Sequence, residues 1–107
     1  MTDRAVDRDA LLLAVEHLDR LELYGEAEVP AAVIENRPGQ QLSLAIYYKV
    51  AVEFGGIGPA AARRALNLFG GHVEDARAAP GRHPHIERLF RILEHGEYFA
   101  AKAIPKT

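Results

Sequence analysis

The stretch from His72 to Arg88 concentrates side chains that can bind ions or transfer protons. It contains three of the five histidines, together with arginines and carboxylates. Imidazoles and carboxylates are common metal ligands, and a two-residue spacing lets His83 and His85 point toward one ion where the backbone is extended. A metal site with His83 and His85 as ligands is therefore one prediction for this stretch.

The helices predicted around the three histidines argue against a site that uses all of them. We expect a short helix over residues 72–79 and a second helix just after His83, packed as an antiparallel pair. At ~1.5 Å per residue, the first helix would place His72 roughly 12 Å from His83, so that His72 would face His95 instead. We therefore expect no metal here and keep the two-histidine site as the alternative.

Arginines in the same stretch indicate an anion site. Arg77 and Arg82 would lie beside the N-terminus of the helix that begins at Pro84, and guanidinium groups and free helical N–H groups both attract carboxylate or phosphate. The turn over residues 36–41 could bind a small anion in the same way, although it lacks the full glycine-rich phosphate-loop pattern. The predicted ligand-binding residues are Arg37, Arg77, Arg82, His83 and His85.

Catalysis would need an acid or a base held near a substrate. His72, His83 and Glu53 are the candidates, because histidine titrates near neutrality and burial can raise the pKa of a glutamate toward it. Nothing in the sequence fixes their mutual geometry, so catalytic residues and cofactors stay unknown. The only serine, Ser43, lies in no nucleophile-elbow pattern, which disfavours a serine hydrolase.

The elements that precede these residues are predicted from caps, periodicity and turns. Asp7 and Asp9 are candidate N-caps for a helix that runs to about residue 19. Two short strands follow, over residues 20–24 and 29–35, and they are expected to form a hairpin. A proline in the second strand favours an edge position for it.

Residues 42–54 fit two patterns. Apolar residues alternate along the whole segment, as in a strand, yet Leu42, Ile46, Val50 and Phe54 also form a helical stripe. Thirteen residues is long for a strand, and the glycines that follow resemble a helix C-cap. We predict a helix.

The rest of the chain completes an α+β fold. Pro59 opens a helix that two glycines end, a clear amphipathic helix runs from Pro84 to Gly96, and residues 97–104 return as a strand. We predict about four helical segments packed on a small antiparallel sheet of three short strands, in a single domain over residues 1–107.

Length and composition narrow the class of protein. A chain of 107 residues can form one hydrophobic core, and its many alanines make that core modest, so we expect a homodimer that covers leftover apolar surface. A net charge of -2 with interleaved signs disfavours nucleic-acid binding. The polar N-terminus does not resemble a signal peptide, and no apolar run approaches the ~20 residues of a membrane span. We expect a cytoplasmic protein with no membrane association.

Several motifs resemble a family of small uncharacterised bacterial proteins known as a domain of unknown function. They are Asn36-Arg37-Pro38-Gly39, the segment from Leu44 to Tyr48, Glu74-Asp75-Ala76-Arg77, and the segment from Pro80 to Leu89. The resemblance covers roughly residues 36–93 and implies a bacterial source and a full-length single-domain protein. It implies no activity and no catalytic residue.

The sequence thus predicts a small cytoplasmic bacterial binding or interaction module. Its ligand would be an anionic small molecule or a protein partner that contacts the surface over residues 72–88. The alternative is a small enzyme or metal-binding protein that uses His72, His83 and His85.

Overall fold

The computed structural model describes residues 7–107. These residues form five helices and a three-stranded antiparallel sheet. The helices are α1 (Arg8–Ala14), α2 (Gln41–Phe54), α3 (Pro59–Phe69), α4 (His72–Ala78) and α5 (Pro84–His95). The strands are β1 (Leu18–Tyr24), β2 (Ala32–Glu35) and β3 (Ala100–Pro105). The α+β prediction is confirmed, with five helices where about four were expected.

The sheet has the strand order β2-β1-β3, and both neighbouring pairs are antiparallel. The predicted hairpin and the returning C-terminal strand are therefore both present. The strand register shifts between Leu18 and Arg20. Because side chains alternate along a regular strand, this irregularity is what lets Leu18 be buried together with Leu21 and Leu23.

The first helix is shorter than predicted. Asp7 caps it by accepting a hydrogen bond from the backbone N–H of Asp9, but the helix ends at Ala14 and not near residue 19. The sheet is the physical reason, because Leu18 already belongs to β1 and is almost fully buried there. Cross-strand pairing and burial outweigh the local helical pattern in this segment.

The ambiguous segment is a helix, as predicted. Its buried side chains follow a helical stripe and include Leu44, Tyr47 and Val50, whereas Val52 and Phe54 are exposed. In a half-buried strand, Leu44, Val50, Val52 and Phe54 would all have faced the same side of the sheet. Gly55 ends α2 in the left-handed conformation, with a φ of 77°. Helix α2 packs against α1, α3 and all three strands, so it forms the centre of the hydrophobic core.

The other helices begin and end close to their predicted limits. Pro59 and Pro84 each lie at the first position of their helices, and Gly96 caps α5 in the left-handed conformation. Helix α5 packs on α3 and buries Ile86, Leu89 and Ile92. None of the helices in the described residues has the length and apolarity that a membrane span requires.

The turn between α2 and α3 is tied to the segment that precedes β3. The hydroxyl of Tyr98 donates a hydrogen bond to the carbonyl of Gly55 at 2.9 Å, and Ile57 pairs with Phe99 in an isolated bridge. Tyr98 lies directly over Gly56, where a Cβ would come within 2.0 Å of its hydroxyl oxygen. Gly56 also has a φ of 156°, a conformation that other residues rarely adopt.

We predict that Gly56→Ala destabilises the protein by about 2 kcal/mol, because it strains the backbone and displaces Tyr98. The matched control is Gly25→Ala, where a Cβ would meet Phe99 at an ordinary 3.7 Å. The control should change stability by no more than about 0.5 kcal/mol. Urea denaturation of both variants measures the difference, and equal stabilities would contradict the prediction.

Candidate functional site

A groove of about 300 Å³ lies where α1, the start of α2, the end of α3, the start of α4 and the start of α5 come together. We call it the histidine groove. Its lining includes two arginines and three histidines: Arg8, Arg82, His72, His83 and His85. Among the described residues, no carboxylate lines it.

All three predicted histidines line this one groove, so the expectation that His72 faces His95 is wrong. The prediction placed His72 by the length of α4 alone. His72 follows the last residue of α3, Phe69, by three positions, and both residues line the groove. His95 lies at the far end of α5, beside Glu94.

Two of the five predicted ligand-binding residues lie elsewhere. The guanidinium of Arg77 stacks on the ring of Phe90 at 4.5 Å and lines a separate depression. Arg37 forms an ion pair of 2.5 Å with Glu35 at the end of β2. The structure thus brings Arg82, His83 and His85 together and leaves the other two arginines outside the groove.

His83 is held by a carboxylate of α4. Its Nε2 lies 2.5 Å from Oδ2 of Asp75, and Arg82 lies 3.9 Å from the other oxygen of the same carboxylate. The hydrogen bond from His83 lowers the pKa of Asp75, and the charges of its neighbours add to this effect. Helix α5 begins just after His83, as predicted, and His83 occupies its N-cap position without making a side-chain capping hydrogen bond.

His85 is held as a neutral imidazole. Its Nδ1 lies 3.0 Å from Nη1 of Arg88, and a guanidinium can only donate, so Nδ1 accepts and the ring proton is on Nε2. That Nε2 faces Oε1 of Gln40 at 3.4 Å. Burial, with a smaller contribution from the charge of Arg88, lowers the pKa of His85 to about 4.

A buried tyrosine of α2 forms hydrogen bonds with both His85 and Arg88. The hydroxyl of Tyr47 donates to the backbone carbonyl of His85 and accepts from Nη1 of Arg88 at 3.1 Å. The guanidinium also lies 5.6 Å from the centre of the Tyr47 ring. Burial raises the pKa of Tyr47 to about 12, which keeps the hydroxyl protonated.

A side chain of the turn before α2 also contacts His85. Gln40 accepts a hydrogen bond from the backbone N–H of Glu35 at 3.1 Å, on the same oxygen that faces His85. The side chain of Asn36 donates to the carbonyl of Leu18 at 2.8 Å and accepts from Gln41 at 3.2 Å. The polar side chains of this predicted anion-binding turn therefore mainly position the first turn of α2.

Sequence reasoning did not connect Tyr47, Arg88 or Gln40 with His85, although Gln40 lies in the predicted anion-binding turn. Arg88 follows His85 by three residues on one helix, and that spacing was a usable signal for a contact. Tyr47 and Gln40 come from a different part of the chain, and no local pattern connects them to α5.

Few side chains of the histidine groove are placed to bind a metal ion. Within residues 7–107, no group of three or more histidine, aspartate or glutamate side chains is placed to hold one. His85 uses both ring nitrogens for contacts inside the protein, so the alternative pair of His83 and His85 lacks one of its ligands.

The third catalytic candidate, Glu53, lies outside the groove. It contacts Lys49 at 3.1 Å and Arg64 at 3.4 Å. Slight burial raises its pKa, but the hydrogen bonds and charges of these two cations outweigh that effect and hold the pKa below its usual value. The expectation of a glutamate raised toward neutrality is therefore wrong for Glu53.

We predict that acidification weakens the fold through His85. Because its folded pKa of about 4 lies below the ordinary value of 6.5, the unfolded chain binds more protons between those pH values. Stability contributed by neutral His85 is therefore present above pH 6.5 and is lost as the pH falls toward 4.

The measurement compares the free energy of unfolding of the wild type and of His85→Gln at neutral pH and at about pH 5. The wild type and the variant share all other titrating groups. The difference between their free energies of unfolding therefore excludes general effects of acid. The advantage of the wild type should shrink at the lower pH. A constant difference across this range would show that His85 does not titrate as proposed.

Comparison with known proteins identifies a family and no characterised relative. Neither the search of curated proteins nor the search of solved structures finds a significant match. One family model matches residues 7–103, nearly the whole chain, and it confirms the resemblance noted from the motifs. The chain belongs to DUF2322, a family of uncharacterised proteins conserved in bacteria.

Proposed function

We propose that this protein is a cytoplasmic binding module that takes a small anionic ligand in the histidine groove. The observation that carries the proposal is the charge of the lining. Arg8 and Arg82 come from separate elements to one groove that three imidazoles also line, with no carboxylate among the described lining residues. Asp75 contacts Arg82 and His83 but does not line the groove. A concave site with convergent cations favours a small anion over a protein partner.

The backbone supports the same proposal. Helices α2 and α5 both begin at the groove, at Gln41 and Pro84, and in neither does the N-cap side chain donate or accept a capping hydrogen bond. The first N–H groups of a helix have no carbonyl partner inside the helix and carry a partial positive charge. In α5, Pro84 has no N–H, and the N–H of Ile86 already donates to the carbonyl of His83 at 3.1 Å. The start of α2 is therefore the helix end that adds to the attraction that the arginines exert on an anion.

Binding is favoured over catalysis by the state of the candidate groups. Of the three catalytic candidates, Glu53 lies outside the groove, and His72 and His83 line it. His83 is the candidate that keeps a carboxylate partner, and one such pair does not define a reaction.

The proposal predicts that inorganic phosphate binds in the histidine groove. In a heteronuclear NMR titration, the backbone signals of residues 39–43 and 85–86 should shift together. Arg82→Gln should weaken the binding by about fivefold or more, because it removes a charged donor from the site.

Two arginines provide matched controls. Arg37→Gln and Arg77→Gln also remove one positive charge, but both residues lie outside the groove. They should leave phosphate affinity within about twofold of the wild type, apart from a small change in long-range attraction. Absence of shifts at the groove, or equal losses in all three variants, would overturn the proposal.

We also propose that the protein is a homodimer. The support is a largely apolar groove of about 470 Å³ between α1 and α2, which is lined by Leu11, Ala14, Ala45 and Val52 among others, together with the charged residues Asp7, Lys49 and Glu53. Val52 is 67% exposed there, although α2 is otherwise the central helix of the core. An exposed apolar surface of this kind is typical of an interface.

The dimer predicts a molar mass twice that of the chain by size-exclusion chromatography with light scattering. Val52→Lys should shift the protein to the monomer, because it places a charge on the apolar groove. Val29→Lys is the control, since Val29 is equally exposed at 68% but does not line this groove. A monomeric wild type would contradict the proposal.

A further inference from the structure

We infer that the ligand is an organic phosphate monoester with a compact apolar body, and not a bare ion. This rests on the proposed binding of an anion in the histidine groove. Five of the eight other lining residues are apolar side chains and support this inference: Leu12, Leu42, Phe69, Pro84 and Ile86. Gly39, Gln41 and Ser43 complete the lining. Charged and apolar side chains thus share one groove.

The apolar residues offer a surface that a bare ion cannot use. Leu12 and Leu42 are each half-buried against the core, so part of each side chain remains open at the groove. Phe69 and Ile86 also line the groove and are nearly fully buried. A hydrocarbon body that covered this surface would remove it from water, which is favourable in proportion to the area covered.

The size of the groove supports a ligand larger than phosphate alone. Its volume of about 300 Å³ falls at the lower end of the range for small-molecule sites, which is roughly 300–1,000 Å³. A tetrahedral oxyanion fills only a small part of that volume. A phosphate joined to one ring or a short branched chain would reach both the cations and the leucines.

The donors favour phosphate over carboxylate. Arg8, His72 and Arg82 line the groove from three different segments, the start of α1, the start of α4 and the turn before α5, so they approach an anion from several directions. A phosphate monoester carries close to two negative charges and three terminal oxygens, whereas a carboxylate has one charge and two oxygens in one plane. The spread of donors matches the tetrahedral group better.

Three probes test the phosphate group and the apolar body separately: inorganic phosphate, phenyl phosphate and benzoate. Phenyl phosphate should bind about tenfold more tightly than inorganic phosphate, the ratio expected if the ring removes roughly 60 Å² of apolar surface from water. It should also bind more tightly than benzoate. Calorimetric or NMR titration of the full chain gives all three affinities.

Two neighbouring leucines of α1 provide a matched pair of variants. Leu12 lines the groove, whereas Leu13 is 62% exposed and does not. Leu12→Ala should reduce the advantage of phenyl phosphate over inorganic phosphate, and Leu13→Ala should leave it unchanged. Leu42→Ala, on a separate helix, repeats the test if Leu12→Ala disturbs the fold, which thermal unfolding would reveal.

The outcomes distinguish this inference from the proposed function. If inorganic phosphate and phenyl phosphate bind equally well in the groove, the anion site stands and the apolar body is wrong. If benzoate binds as tightly as phenyl phosphate, the preference for phosphate is wrong. If none of the three probes binds, both proposals are wrong. If Leu12→Ala and Leu13→Ala reduce the advantage of phenyl phosphate equally, the inference is also wrong.

Discussion

The phenol of Tyr47 is fully buried, and its hydroxyl can remain there only because it is paired on both sides. It donates to the carbonyl of His85 and accepts from Arg88, so one oxygen joins the centre of α2 to the first turn of α5. An unpaired hydroxyl at this depth would cost roughly 1–3 kcal/mol. The core can therefore keep this tyrosine only while the two helices hold their present positions.

The histidine groove depends on that junction. Because Arg88 is fixed by Tyr47, it can donate to His85, and this contact selects the tautomer that faces Gln40. Gln40 in turn holds the backbone of Glu35 at the end of β2. A continuous set of hydrogen bonds thus connects the first turn of α5, the start of α2 and the edge of the sheet. Helices α2 and α5, which both line the groove, are held together by this set, whereas Arg8 of α1 lies outside it.

The sequence predicted most of the elements but not how the site is assembled. Helix α2 could be predicted because Gly55 and the segment length outweighed the alternating pattern, and both are local signals. The end of α1 could not, since it depends on Leu18 pairing with Pro105 of β3, which lies far along the chain. The same limit applies to His72, which lines one groove with residues of α1 and α2. Contacts such as that between Tyr47 and Arg88 join residues 41 positions apart, and no spacing rule connects them.

The two arginines nearest the histidines have different roles, and their partners show why. Arg88 is half-buried and donates to two acceptors, so moving it would leave a buried hydroxyl and a ring nitrogen without a donor. Arg82 is 66% exposed and lies 3.9 Å from Asp75, whose side chain is 50% exposed. An ion pair of that kind contributes little in water, so Arg82 can leave it for a ligand at small cost. Asp75 would still hold His83 through the shorter contact of 2.5 Å. The same carboxylate therefore positions an imidazole at the groove and leaves a neighbouring guanidinium available for an anion.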